Sequence, residues 1–217
     1  MKRMNSLFRK IIGLFFVLQC FTLLYAQEFP LDDLKSGDLV FISSKGEMLS
    51  GAINRVTQVH EHENYDHVAL VSKEGNDVNF LHATFKKGSV QQKAADFLQS
   101  YKDRRITVYR LLDVQPEVIK DGILEAKKML GRPYNTTYVL SDSSYYCSDY
   151  IERAFRKYKL FNLEPMTFKD PKTGETDKFW ESYYQKQGIP VPEGELGCNP
   201  NGLARSQVLR FVGELKR

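Results

Sequence analysis

Cysteine is scarce in this chain, which contains three cysteines among 217 residues. One of them, Cys20, lies in an apolar N-terminal segment, so the remainder holds only Cys147 and Cys198. Two cysteines leave room for one disulfide at most, and an oxidising compartment would favour that bond. Spacing along the sequence does not decide whether Cys147 is bonded or free.

A strong excess of charge of one sign is also missing. The formal net charge is +4, and four basic residues near the N-terminus account for it: Lys2, Arg3, Arg9 and Lys10. Without that segment the chain is near neutral, whereas nucleic-acid binding requires a concentrated basic face. We therefore expect no nucleic-acid partner.

The chain lacks a glycine-rich nucleotide-binding loop, an acidic calcium-binding loop and internal repeats. We therefore expect a catalytic role to need no cofactor. No linker-like segment interrupts residues 27–217, and that length suits one domain with a real core. We predict a single domain over this range.

The longest apolar run is Ile11–Tyr25, which follows the basic residues and ends at Ala26. A basic segment, a short apolar stretch and a small residue are typical of a secretory signal peptide. The run is short for a membrane span, which needs roughly 20 apolar residues. We predict a signal peptide at residues 1–26 and a secreted or periplasmic protein that meets the membrane only through this segment. An uncleaved anchor is the alternative, because Leu24 is large for its place before the cleavage point.

Hydrophobic periodicity predicts an α+β domain. Runs of β-branched and aromatic residues bounded by turn residues predict strands at 39–42, 68–72, 78–84 and 106–112. Apolar residues at helical spacing predict helices at 48–56, 116–130, 147–158 and about 178–185. The turn Glu74-Gly75-Asn76-Asp77 predicts that the second and third strands form a hairpin. Ser143 or Ser144 is the expected cap of the helix that begins near Cys147.

Cys147 is the first candidate for chemistry, because it is placed at the predicted start of an amphipathic helix. The unpaired N–H groups and the partial positive charge of a helix N-terminus favour the thiolate, which is the nucleophilic form of cysteine. The structural alternative is that Cys147 is an inert buried residue, which is common for cysteine.

All four histidines lie between His60 and His82. His60 and His62 fall in a polar loop without the ligand spacing of a metal site, so we expect no metal there. His67 begins one strand of the predicted hairpin and His82 lies in the other, so the two imidazoles should be neighbours. One of them can then act as a base while the other fixes its tautomer.

Four segments together resemble a known group of enzymes. They are Gly37-Asp38-Leu39-Val40-Phe41, Tyr65-Asp66-His67-Val68-Ala69-Leu70-Val71, Gly131-Arg132-Pro133-Tyr134-Asn135 and Tyr145-Tyr146-Cys147-Ser148-Asp149. In type and order they are similar to motifs of the YiiX/YebB-like cysteine hydrolases, which are circularly permuted relatives of NlpC-type, papain-like amidases. The resemblance covers roughly residues 34–158 and leaves the proline-rich tail outside.

The resemblance implies a circularly permuted papain-like fold, with a small antiparallel sheet packed against helices and the nucleophile at a helix N-terminus. It also implies that Cys147 is the nucleophile, His67 the general base and His82 the third polar residue. Tyr146, Tyr65 and Asp38 are the residues we predict to bind substrate. The chain departs from the family pattern at Asp66, Asp149 and Asn135, where a small residue, glutamate and aspartate are usual.

The resemblance suggests amide hydrolysis in cell-wall peptides through a thioester. Two alternatives stay open. Lecithin–retinol acyltransferase-like enzymes also look like permuted papain-type proteins with two histidines before the cysteine, and they would act on a lipid. The other alternative is a non-catalytic binding module in which Cys147 is bonded to Cys198.

Overall fold

The computed structural model describes residues 28–59 and 64–216. The strands are β1 (Glu28–Phe29), β2 (Leu39–Ser43), β3 (Tyr65–Glu74), β4 (Asp77–Thr84), β5 (Gly88–Lys93), β6 (Ile106–Leu111), β7 (Glu164–Pro165), β8 (Leu196–Gly197) and β9 (Leu209–Leu215). Seven of them form one sheet in the order β1-β9-β6-β2-β3-β4-β5, and β7 pairs separately with β8. All pairs in the large sheet are antiparallel except that of β1 with β9.

The α-helices of the described residues are α1 (Met48–Thr57), α2 (Ala94–Ser100), α3 (Pro116–Lys128), α4 (Cys147–Phe155), α5 (Lys178–Gln187) and α6 (Pro200–Ala204). The predicted α+β class is thus observed. None of these helices is both long and apolar enough to cross a membrane. The predicted signal peptide lies outside the described residues.

The predicted hairpin of β3 and β4 is confirmed. Leu70 pairs with Leu81 and Glu74 pairs with Asp77, so the two strands run antiparallel through a tight turn. Gly75 lies in this turn with a φ of 61°, a conformation that glycine adopts without steric cost. The hairpin brings the strand that carries His67 beside the strand that carries His82.

The sheet separates two apolar layers, because side chains alternate between its faces. On one face Phe41, Val68 and Leu70 belong to the core that includes α4 residues such as Ile151. On the other face Val40, Ile42 and Ala69 belong to the core that includes Phe97 of α2. His67 is paired directly with Ile42, so its side chain projects from the face that α2 covers.

Three expectations need correction. The sheet is larger than the small sheet predicted, since β1, β5 and β9 were not foreseen. Polar residues dominate β5, which hid its alternation, and β9 lies in the tail that was read as loop-rich. The N-cap of α4 is Tyr146 in extended conformation, without a side-chain cap, so neither Ser143 nor Ser144 has the expected capping role.

The tail after α4 builds a third apolar layer instead of a loose extension. Phe168, Trp180 and Tyr184 from the tail pack with Tyr138 and Tyr146. The Trp180 indole N–H also donates to the Ala52 carbonyl of α1. These aromatic contacts fix the tail beside the N-terminus of α4, where Cys147 lies.

Candidate active site

Cys147 is the first residue of α4 and lies on the wall of a cavity of about 750 Å³. The residue is 4% exposed. Its sulfur lies 3.9 Å from the carbonyl oxygen of Asp66 at the beginning of β3. The cavity therefore gives a ligand access to a sulfur that is otherwise enclosed by protein.

Burial raises the pKa of the Cys147 thiol to about 12, and the nearby charge of Asp66 acts in the same direction. Backbone N–H groups of Val68, Ser148 and Cys147 itself lower the pKa, because they hydrogen-bond to the ionised sulfur. The helix-terminus effect predicted from the sequence is present, but desolvation outweighs it. The resting thiol is protonated at neutral pH and needs a base to become nucleophilic.

His67 and His82 are in direct contact, as the hairpin predicts. His67 Nε2 lies 2.8 Å from His82 Nδ1, and both side chains are buried. His82 Nε2 lies 3.1 Å from the Oε1 atom of Gln92 on β5. The Tyr101 ring stacks on His67 with ring centroids 5.5 Å apart. These contacts hold His67 in one orientation.

The imidazoles are neutral at physiological pH. Burial lowers the pKa of His67 well below its ordinary value, with help from the charges of His82 and Arg104. Burial lowers the pKa of His82 to about 4; the Gln92 hydrogen bond opposes this shift, and the charge of Lys87 adds to it. A neutral His67 has a lone pair available to accept a proton.

The sulfur and the imidazole pair lie on opposite faces of β3 at residues 66–68, and neither His67 nor His82 lines the cavity. Cys147 belongs to the core layer of α4, whereas Tyr101 and Phe97, which contact the imidazoles, belong to the layer of α2. The hydrogen bonds of the sulfur go to backbone atoms on both sides of His67. His82 occupies Nε2 of His67, which leaves Nδ1 as the other nitrogen of this ring.

Asp66 ties this stretch of β3 to the sheet. Its carboxylate pairs with Arg104, which also donates from Nε to the Ser43 carbonyl at 2.6 Å. The Arg104 guanidinium lies over the Tyr101 ring, 5.6 Å from its centroid. Asp66, where the chain departs from the family pattern, therefore holds Arg104 beside Tyr101, the residue that stacks on His67.

The three predicted substrate-binding residues have different places. Tyr146 lines the cavity, and its hydroxyl accepts a hydrogen bond from the Cys198 N–H at 3.2 Å. Tyr65 is buried against Phe41 with ring centroids 5.3 Å apart and does not line the cavity. We therefore keep Tyr146 in the proposed site and leave Tyr65 out.

Asp38 is also distant from the cavity wall. Asp38 comes directly before β2, and Ile42, which pairs with His67, lies near the other end of this strand. Asp38 and Ile42 are therefore about 13 Å apart along the strand. Its carboxylate binds Arg110 through two hydrogen bonds of 2.7 Å. Asp38 thus has a structural ion pair, and we leave it out of the proposed site.

Cys147 and Cys198 are free thiols in this structure. Both line the same cavity, and the Ser148 hydroxyl donates to the Cys198 carbonyl at 3.0 Å. His60 and His62 lie outside the described residues. Sequence reasoning missed Gln92 and Tyr101, because neither residue lies in a motif. The available signal for β5 was that Val90 and Gln92 are two positions apart, as are residues on one face of a strand.

The buried imidazoles should make stability depend on pH. The pKa of His82 is about 4 in the folded protein and 6.5 when it is exposed, so the unfolded state binds more protons between these values. Stability therefore falls as the pH drops, by about 3 kcal/mol between pH 7 and pH 4 for this group. Urea unfolding of the wild type and of His82→Gln should show a smaller acid loss in the variant. An equal acid loss in both proteins would contradict the assignment.

Comparison with known proteins shows which family this chain resembles. A family model described as permuted papain-like amidase enzyme, YaeF/YiiX, matches residues 33–213. Among solved structures, the chain is similar to the one described as metalloprotein YiiX from Escherichia coli O157:H7, at 18% identity and a TM-score of 0.67. That match covers 83% of this chain and 97% of the other. No curated protein matches the chain.

The solved structure supports the fold, and the family match includes the tail that sequence motifs alone left out. The match includes the strands that carry the two histidines, the helix that begins with Cys147, and most of strand β9. This chain belongs to the YaeF/YiiX family of permuted papain-like amidase enzymes.

Proposed function

We propose that the protein is a thiol hydrolase that cleaves an amide bond with Cys147 as nucleophile and His67 as general base. The observation that carries the proposal is that the Cys147 sulfur lies against the backbone of Asp66 and Val68, the two neighbours of His67 on β3, while His67 itself is bonded to His82. A thiol, a neutral imidazole and a second group that orients the imidazole are the components of covalent acyl transfer.

In the first half of the reaction, His67 takes the proton of the Cys147 thiol as the sulfur attacks the substrate carbonyl carbon. The tetrahedral intermediate collapses when the C–N bond breaks, and His67 gives the proton to the leaving amine. The product is a thioester of Cys147. In the second half, His67 takes a proton from water, the hydroxide attacks the thioester, and the sulfur leaves to regain its proton.

Backbone N–H groups at the start of α4 would stabilise the negative charge that develops on the carbonyl oxygen. The N–H groups of Cys147 and Ser148 already point towards the sulfur in the resting protein. Loss of one such donor typically raises the barrier by roughly 3 kcal/mol. Because these donors belong to the backbone, they are fixed by the helix itself.

Tyr138 offers a further contact for the substrate. Its ring lies against Tyr146 in the cavity wall, with ring centroids 5.3 Å apart, and its hydroxyl is buried beside the hydroxyl of Tyr134, which lines the same cavity. The residue also has a φ of 59°, a left-handed conformation that non-glycine residues rarely adopt. We assign this hydroxyl to an acceptor atom of the bound substrate, such as a carbonyl oxygen.

Replacing Tyr138 by Phe should separate binding from stability. The variant removes a buried hydroxyl that interacts with the Tyr134 hydroxyl, so the free energy of unfolding should change by no more than about 1 kcal/mol. The same variant should hydrolyse its substrate about 10-fold less efficiently, since one hydrogen bond to the substrate is lost. Thermal unfolding and kcat/KM are the two measurements. A variant that loses clearly more stability than this, or keeps full activity, would refute the assignment.

The substrate we propose is a peptide amide of the cell wall, reached after secretion. The family supports amide chemistry, and the predicted signal peptide supports the compartment. A second candidate is a lipid acyl ester. Apolar side chains on the cavity wall favour it, including Ile53, Leu160, Phe161 and Met166.

One experiment tests both candidates. The mature protein is incubated separately with muropeptides and with a short-chain phospholipid, and the products are identified by mass spectrometry. Release of an amine from muropeptides supports the amidase, whereas release of a fatty acid alone supports the lipid candidate. Release of neither product, with the Cys147 thiol intact, would count against both.

The donor side chains of the described residues do not fit a metal-dependent mechanism. YiiX is described as a metalloprotein, but in residues 28–59 and 64–216 no three His, Cys, Asp or Glu side chains are placed to hold a metal ion. His67 and His82 also use two of their ring nitrogens on each other. We therefore derive no step through a metal.

A further inference from the structure

A chain of hydrogen bonds extends behind the two histidines to the outer edge of the sheet. His67 Nε2 meets His82 Nδ1 at 2.8 Å, and His82 Nε2 meets Gln92 Oε1 at 3.1 Å. The Gln92 amide nitrogen donates to the Ser100 hydroxyl at 3.0 Å, and Ser100 donates to the Asp96 carbonyl at 2.8 Å. At each hydrogen bond, which atom donates and which accepts can be worked out from the next hydrogen bond along the chain.

The chain has a direction because its outer end is fixed. The Asp96 carbonyl only accepts, so in this arrangement the exposed Ser100 hydroxyl donates to it and the Ser100 oxygen accepts from Gln92. The Gln92 amide is thereby oriented with its NH₂ group towards Ser100 and its oxygen towards His82. An amide oxygen only accepts, so His82 Nε2 carries a proton.

The tautomers of both imidazoles follow from this. A neutral His82 with a proton on Nε2 has a bare Nδ1, which accepts from His67 Nε2. A neutral His67 with its proton on Nε2 has a bare Nδ1, the nitrogen left for the thiol proton of Cys147. With the opposite polarity, His82 would donate to His67, and His67 Nδ1 would carry a proton and could accept none.

We propose that Gln92 and Ser100 are positioning residues, which lock the His82–His67 pair in the one tautomer that leaves His67 Nδ1 able to act as a base. The inference rests on the proposed function, since it concerns the same base. It adds two residues from β5 and α2 that touch neither the substrate nor the sulfur. Gln92 and Ser100 determine which nitrogen of His82 carries the proton, and His82 in turn determines which nitrogen of His67 does.

The lock is tested first without any substrate. Histidine tautomers are read from ¹⁵N NMR of the imidazole nitrogens in the wild type and in Gln92→Leu at pH 8. The wild type should show both rings protonated on Nε2. Gln92→Leu removes the acceptor, so the opposite polarity should become populated, with His67 protonated on Nδ1. An unchanged pattern in a folded Gln92→Leu protein would overturn the proposal, whatever the fate of the proposed function.

Kinetics on the substrate that the product assay identifies provide the second test. Gln92→Leu should lower kcat about 10-fold with little change in KM, because part of the enzyme holds the wrong tautomer. Gln92→Glu keeps an acceptor for His82 and should restore most of kcat at pH 8, where the carboxylate is ionised. Ser100→Ala frees the Gln92 amide to rotate and should give an intermediate loss.

Gln91→Leu is the matched control. Gln91 is the neighbouring residue on β5, is exposed and pairs with Leu81, so it shares the strand without joining the chain. This variant should keep the wild-type kcat and tautomers. A loss of kcat in Gln91→Leu as large as in Gln92→Leu, or a failure of Gln92→Glu to restore kcat, would show a merely structural effect on β5 and refute the proposal.

Discussion

Cys147→Ala should abolish amide hydrolysis, with a fall in kcat of at least about 10⁴-fold. The thiol is the only protein group in the proposed mechanism that forms a bond to the substrate carbon, so no other side chain replaces it. The fold should be retained, because alanine fits a site where the sulfur packs in the α4 core layer. Product release from muropeptides or phospholipid, and circular dichroism, are the measurements.

Cys198→Ala is the control for this result. Its residue lines the same cavity, but its neighbours there are Tyr146 and Ser148, whereas the Cys147 sulfur lies against the backbone of β3. This variant should retain most of the activity. Activity that survives in Cys147→Ala, or disappears equally in Cys198→Ala, would contradict the assignment of the nucleophile. Mass spectrometry of unreduced protein should also find Cys147 unlinked to Cys198.

His67→Gln should lower kcat/KM by about 10³-fold, the range for loss of a general base. Glutamine retains a donor for His82 Nδ1 and much of the side-chain volume, but it takes up no proton at neutral pH. The Cys147 thiol, with a pKa raised to about 12, would then stay protonated through the accessible pH range. The steady-state rate of product release is the measurement.

The pH profile of the wild type supplies the check. The pKa of His67 is well below its ordinary 6.5, so His67 stays neutral and able to accept a proton as the medium is acidified past that value. The acidic fall in kcat/KM should therefore lie below pH 6.5. A fall centred above pH 6.5, or a His67→Gln enzyme with near wild-type activity, would show that another group is the base.

The hairpin illustrates what can be read from local sequence. The turn at Gly75 and the flanking β-branched runs fixed which strands pair, and the pairing placed His67 next to His82. Such neighbours are close along the chain, so short-range turn chemistry and alternation are enough to bring them together. The start of α4 at Cys147 followed in the same way from helical spacing.

The supporting residues could not be read in this way. Gln92 reaches His82 only because β5 adds to the outer edge of β4, and Tyr101 reaches His67 only because α2 folds back over the sheet. The sequence of β5 is polar and edge strands have weak patterns, so nothing local marks Gln92 as a partner. The pKa of Cys147 is a similar case, since desolvation depends on everything packed around the sulfur.

The sequence alone determined the α+β class, the hairpin of the two histidines, the helix that begins at Cys147 and the family resemblance. These features depend on residues near one another along the chain or on short motifs. Tertiary structure alone decided the cavity, the place of Tyr138 on its wall, the separation of Asp38 and Tyr65 from it, and the chain from His67 to Ser100. Those features join segments far apart in sequence, and packing between the layers brings them together.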